Sequence, residues 1–111
     1  MYNAVDIAVY IVDYCIREDC PVSNLKLQYM LMILKDLYKE KTGEELFYED
    51  ITHGSHFDYI SSVYYRFCHF GAMPITFNHQ IIVLPHDVTE FLKDNIIKLS
   101  KQYPFELKEN A

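Results

Sequence analysis

Residues 21–38 read PVSNLKLQYMLMILKDLY, and this stretch decides the fold. Pro21 and Ser23 end a connector. From Asn24 onward the apolar residues fall into helical step, with Leu27, Met30, Leu31, Leu34 and Leu37 recurring at i, i+3, i+4 and i+7. The spacing predicts a helix over about 24–41. Gly43 then stands where a left-handed backbone commonly ends a helix. An isolated helix of this length is marginal in water. Burial of its stripe must hold it, at about 1.5–3 kcal/mol per enclosed side chain, so the rest of the chain has to supply partners for that face.

It does. Upstream, residues 4–18 predict a helix that is apolar almost all round and therefore largely enclosed. Asn3 is placed to cap it, with Asp6 three residues later in capping-box spacing. Downstream, 44–56 reads as a connector. A third helix is predicted over about 57–69 with Phe57, Ile60, Val63, Tyr64 and Phe67 inward, closed by Gly71 and Pro74. The period then changes. ITFNHQIIVL, residues 75–84, is β-branched and aromatic, with Asn78-His79 at a two-residue turn, and predicts a short hairpin. Pro85 ends it. Asp87 and Glu90 have capping-box spacing before a last helix over about 88–102, with Val88, Phe91, Leu92, Ile96 and Leu99 inward. Pro104 stops that helix and leaves the tail, 103–111, either one more turn or a loose end. The expected fold is mainly α (α+β): a compact bundle of about four helices with one short β-hairpin, in a single domain over 1–111.

Composition narrows the function. Half of the 111 residues are hydrophobic, enough for a real core. Ten Lys and Arg stand against sixteen Asp and Glu, a net charge of -6, which disfavours direct nucleic-acid binding and either serves solubility alone or suits a basic protein partner. The most apolar stretch, AVYIVDYCI, is broken by Asp13, so no membrane span is expected. The N-terminus has neither a basic n-region nor a small-residue cleavage site. Together with an odd count of three cysteines, this points to the reducing cytoplasm, with Cys15 and Cys20 as buried or half-buried thiols near a helix end.

Chemistry-bearing clusters are few. His53-x-x-His56 and Cys68-His69 have ligand types that suit zinc and support an alternative reading as a small zinc-binding structural protein. Their spacing is poor, because adjacent Cys and His on a helix point about 100° apart, and no metal or other cofactor is expected. Ser61, Ser62, His56 and Asp58 lie close in sequence but lack nucleophile-elbow glycines. Glu44-Glu45 and Glu49-Asp50 read as a solvated connector, not an acid/base pair. No phosphate-binding glycine motif is present. The residues point away from an enzyme.

The second helix also carries a family likeness. The run Val22, Ser23, Asn24, Leu25, Lys26, Leu27, Gln28, with Leu31 beyond it, resembles the I-S-N-L-K-L-Q-K-L-L-Y pattern that opens a core helix in the Panacea antitoxin family. The opening MYNAVDIAVYIVDYC is similar to the start of that family. Thr42-Gly43 and Leu46-Phe47 match its T-G-x-x-L-F connector, and Val63, Tyr64, Phe67, Gly71 and Pro74-Ile75 line up without gaps. The resemblance covers about residues 1–75 and implies a short, diverged member. It further implies a non-catalytic inhibitor that neutralises a toxin by binding it. Because such genes lie in phages and prophages, the target is alternatively a host defence effector such as a CRISPR nuclease, as for anti-CRISPR proteins.

One departure points to a working surface. Where the family has W-x-Y-G-P-V-V-P-x-V-Y, this chain reads Gly54-Ser55-His56-Phe57-Asp58-Tyr59-Ile60-Ser61-Ser62-Val63-Tyr64. Aromatics beside charge at a loop–helix junction are favoured interface anchors. His56, Phe57, Asp58, Tyr59, Tyr65 and Arg66 are therefore the expected partner-binding residues, with Tyr59 and Tyr65 off the inner helical stripe. Partly buried rim is the competing role for the two tyrosines, and neutral drift is the competing origin of the changed stretch 54–59.

Overall fold

The side-chain carboxamides of Asn24 and Gln28, one helical turn apart, organise the molecule. The structure, a computed structural model, describes residues 1–76, 80–103, 106 and 107. Its helices are α1 (Ala4–Arg17), α2 (Asn24–Thr42), α3 (Ser61–Phe67) and α4 (His86–Ser100), and its hairpin strands are β1 (Thr52–His53) and β2 (Asp58–Tyr59). Gln28 is fully buried and Asn24 nearly so. Gln28 Nε2 donates to Asn24 Oδ1 at 3.0 Å, Asn24 Nδ2 donates to the Tyr64 carbonyl at 2.9 Å, and Ile60 N–H donates to Gln28 Oε1 at 2.8 Å. Ile60 is the N-cap of α3 and has no capping side chain of its own. Gln28 thus satisfies a donor that would otherwise be orphaned at a buried helix start.

The other polar residues of the SNLKLQ run have structural duties too. Ser23 Oγ accepts from Lys26 N–H at 3.2 Å and caps α2. Lys26 Nζ donates to the Ser100 carbonyl at the last residue of α4, where a cation also complements the helix dipole. Burial pulls the Lys26 ammonium below the usual lysine value. Gly43 closes α2 at φ 77°, its N–H donating to the Lys39 carbonyl at 2.8 Å.

Burial follows the predicted stripe of α2 except at Leu37, which is half-buried, and exceeds it elsewhere. On α2, Leu27, Met30, Leu31 and Leu34 are enclosed, as are Tyr29, Met32, Ile33 and Tyr38. α2 is therefore as central as α1, whose Ala4, Ile7, Ala8, Val9, Ile11, Val12 and Cys15 are buried. α3 and α4 each pack against both α1 and α2, so that one hydrophobic cluster runs through all four helices. The inner face of α4 (Val88, Phe91, Leu92, Ile96, Leu99) is the one read from the sequence; of the five residues expected inward on the third helix, Ile60, Val63 and Phe67 are buried, while Phe57 and Tyr64 are half-buried.

The N-terminus of α1 is capped twice. Asn3 Oδ1 accepts from Val5 N–H at 2.8 Å, and both carboxylate oxygens of Glu49 accept from Ala4 N–H, at 2.9 and 3.0 Å. Tyr2 runs parallel to Phe47, with Tyr2 N–H donating to Leu46 O at 2.9 Å and Tyr48 N–H to Tyr2 O at 3.1 Å. The acidic connector is therefore not merely solvated. Glu49 docks on α1, and Glu45 bridges Lys35 at 2.5 Å and Lys39 at 2.8 Å, which hold its carboxyl down at about 2.

Four expectations are corrected. The hairpin lies at 52–59, inside the stretch read as a connector, with Thr52 opposite Tyr59 and His53 opposite Asp58. The expected turn Asn78-His79 falls outside the described residues, while Thr76 and 80–84 form no strand. There the chain is held at its start by an isolated bridge between Pro74 and Ser23 and by Ile75 N–H donating to Val22 O at 2.9 Å. The third helix is shorter than predicted, because 58–59 is strand and Cys68–Phe70 is a 3-10 turn. Asp87 does not cap α4. Pro85 is its N-cap, without a side-chain bond, and Asp87 sits in the first turn. Of the tail, residues 106 and 107 are helical, Leu107 N–H donates to Tyr103 O at 3.2 Å, and Leu107 is fully buried; the rest beyond Tyr103 lies outside the described residues.

Among the described residues no helix is long and apolar enough to cross a membrane.

Two outcomes test this account. Gln28→Leu keeps the volume but leaves Ile60 N–H and Asn24 Oδ1 without their partner. Urea unfolding should show a loss of about 1–3 kcal/mol at unchanged m-value, and a loss below about 0.5 kcal/mol would remove the clamp from the account. Glu45, depressed in the folded state below the ordinary carboxylate value of about 4.3, contributes stability above that pH and loses it as pH falls towards 2. Its carboxyl carbon, followed by NMR, should titrate near the bottom of that window in the wild type and closer to 4.3 in Lys35→Met. Both groups are partly solvent-exposed, so salt should narrow the difference.

Candidate functional site

The expected partner-binding residues come from the hairpin and α3, and Phe57 joins them into two adjoining faces. The hairpin turn, 54–57, closes with Gly54 N–H donating to Phe57 O at 3.2 Å. Gly54 is required by space, since a Cβ there would lie 2.5 Å from Phe57 O and 3.1 Å from Tyr59 Cε1. Thr52 Oγ1 and Ser61 Oγ share a hydrogen bond of 3.1 Å that ties β1 to the start of α3.

The first face is aromatic. Phe57 and Tyr59 meet edge to face at a centroid distance of 5.9 Å. Tyr64 sits between them and the next turn, 6.0 Å from Phe57, 5.2 Å from Tyr59 and 5.5 Å from Tyr65. The run ends on Tyr65, which is 66% exposed. Rings at these separations and tilts attract beyond their area of contact, so Tyr65 is an exposed ring held by a partly buried one. Beside it, Arg66 Nη2 donates to Gln80 Oε1 at 2.6 Å. Gln80 begins the stretch 80–84, where Ile82 and Leu84 pack on the core while Ile81 and Val83 are about 90% exposed.

The second face is a cleft of about 390 Å³ between the hairpin and α2. His53, His56, Phe57 and Asp58 line its hairpin side. Tyr29, Met32 and Asp36, spaced three and four residues apart on α2, form the opposite side. His53 Nδ1 pairs with Asp58 Oδ1 at 3.1 Å. Burial raises the Tyr29 hydroxyl above the usual tyrosine value, and the Asp58 charge adds to the effect.

The metal candidates do not converge. His53 and His56 line this cleft, Cys68 lines a separate hollow that Phe57 and Tyr64 also border, with its Sγ donating to Tyr65 O at 3.3 Å, and the His69 ring meets Phe70 at a tilt with centroids 4.2 Å apart. Among the described residues no three His, Cys, Asp or Glu side chains are placed to hold a metal ion. The serines are bonded elsewhere, Ser61 to Thr52 and Ser62 Oγ to Glu49 Oε2 at 3.4 Å. All three cysteines are free thiols. Burial, with a hydrogen bond that the Cys15 thiol donates to Cys20, pushes the Cys15 thiol far up and makes it a poor nucleophile.

Sequence reasoning missed Tyr64 as the ring that connects the aromatic run, and it missed the α2 side of the cleft. The signal for the latter was present: Tyr29, Met32 and Asp36 form a second helical stripe, one position off the inner one.

No protein-family model, no curated protein and no solved structure matches this chain.

Gly54→Ala should disturb the hairpin and not the helices. Amide shifts are expected to change across 52–59 while the far-ultraviolet helical signal is kept, with a stability loss of about 1–3 kcal/mol. Unchanged hairpin amides would show that the turn tolerates a Cβ and that its close approach is unimportant.

Proposed function

We propose that this chain is a non-catalytic protein-binding inhibitor, of the kind its resemblance to Panacea antitoxins implies, which neutralises a toxin or a host defence effector by occupying it. The observation that carries this reading is the run of rings from Phe57 through Tyr59 and Tyr64 to the exposed Tyr65. Aromatic side chains bind with large area and few rotatable bonds, and one already ordered by its neighbours loses less entropy on docking. Arg66, next to Tyr65 in the chain, adds a cation that bonds Gln80, and the exposed apolar Ile81 and Val83 follow Gln80 in sequence. The net charge of -6 favours a basic partner and speeds its approach. A further support is that Ser23, Asn24, Lys26 and Gln28, which carry the family likeness, serve the scaffold. Diverged members can thus keep the fold while the working surface changes.

Tyr65→Ala is the cleaner test, because Tyr59 also packs against Gly54 and Tyr64. Wild-type and variant baits should be compared by quantitative mass spectrometry of captured proteins, then by titration calorimetry against the protein that separates them. Tyr65→Ala is expected to cost about 1–3 kcal/mol of affinity and to shift the melting temperature by less than about 2 °C. Equal capture and equal affinity would sink the aromatic face as the working surface.

A further inference from the structure

We infer that the cleft between the hairpin and α2 is a socket for one arginine side chain presented by the protein partner. This deepens the protein-binding reading and rests on it. The walls match the two parts of that side chain. Met32 and Tyr29 are buried residues of α2, and Ile51 and Phe57 are half-buried, so together they offer an apolar bed for an aliphatic stem. Asp36 and Asp58 add carboxylates from opposite sides of the same cleft. A space of about 390 Å³ admits one long side chain with room left around it.

Charge selects the occupant. Lys35 and Lys39, the cations nearest Asp36 along α2, are both drawn to Glu45. Among the described residues Asp36 makes no ion pair, and the Lys39 charge acts on it only at longer range. Asp58 gives one carboxylate oxygen to His53 and leaves the other without a hydrogen-bond partner among the described residues. A carboxylate that is incompletely paired beside an apolar wall attracts a cation more strongly than one in open water. Arginine fits better than lysine for two reasons. Its planar guanidinium can bond two carboxylates at once. It also sheds water more readily than an ammonium and stacks on aromatic faces such as those of Phe57 and Tyr29.

The test uses the full chain, labelled with nitrogen-15, and small probes. N-acetyl-arginine amide is titrated to tens of millimolar, beside the lysine amide and the neutral, isosteric citrulline amide. The expected result is saturable shifts at the amides of His53, Gly54 and Asp58 with the arginine probe. The lysine probe should bind at least about threefold more weakly, and the citrulline probe should give no saturable shift, since loss of a charge-assisted bidentate contact removes most of so small an affinity. Asp36→Asn and Asp58→Asn should each weaken arginine binding about fivefold or more, which is about 1 kcal/mol. Asp36 is exposed, so its variant keeps the test sound even if Asp58→Asn disturbs the hairpin. Equal shifts with citrulline, equal affinity for lysine, an unaffected Asp36→Asn variant, or no saturable shift at all would each overturn the socket. Failure here with loss of partner binding in Tyr65→Ala would end the socket and leave the aromatic face standing. Saturable arginine binding with an unaffected Tyr65→Ala would do the reverse.

Discussion

The Gln28 carboxamide is the contact on which the rest of the molecule depends. It lies at the centre of the hydrophobic cluster, yet it is there to serve the backbone, taking the Ile60 N–H with its oxygen and reaching Asn24 with its nitrogen. Apolar side chains alone would let α3 slide or rotate against α2 at little cost, because burial has no preferred direction. A buried amide with a fixed donor and a fixed acceptor has only one comfortable arrangement, and leaving either unpaired costs more than the bond itself contributes. The same clamp sets where α3 begins, and so how far β2 runs before it. The two faces of the hairpin inherit their position from a residue that lies 32 positions before Ile60 in the chain.

The capping scheme has a similar economy. α1 and α2 start on Asn3 and Ser23, side chains local to each helix. α3 starts on Gln28 from another helix, and α4 ends on Lys26 from that same helix. α2 thus supplies partners for the ends of both helices that pack on it. Loss of α2 packing would release a buried donor at the start of α3 and a carbonyl at the end of α4 together, which favours cooperative unfolding over the peeling away of single helices.

The legible part of this fold was the part with a long period. α1, α2 and α4 each present three or more turns of regularly spaced apolar residues; the inner face of α4 was readable one residue at a time, while on α2 the stripe was right except at half-buried Leu37 and omitted Tyr29, Met32, Ile33 and Tyr38. The hairpin was expected in the wrong place for a physical reason. ITFNHQIIVL has strand-like side chains, but its described residues use them singly, with Ile75, Ile82 and Leu84 resting on the core. The true strands, Thr52–His53 and Asp58–Tyr59, are two residues long, too short to show any alternation. They form because Gly54 permits a close turn and because Thr52 and Ile60 are tied to neighbouring elements. At the candidate site the exposed chemistry could be named from the chain, but its grouping could not. Whether His56 and Asp58 face the same cavity as Asp36 depends on where the hairpin comes to rest on α2, which is a property of packing.

The ring contacts around Tyr64 also have an optical consequence. The chain contains ten tyrosines and no tryptophan, so its ultraviolet emission is tyrosine emission alone. Rings as close as those of Phe57, Tyr59, Tyr64 and Tyr65 exchange excitation readily among the tyrosines, and Tyr65 places the end of that chain of rings at the surface. A tryptophan brought against it would drain the emission of several rings and not of one. The molecule therefore carries its own reporter: association with a tryptophan-bearing surface at this face would register as a loss of tyrosine light, with no label attached.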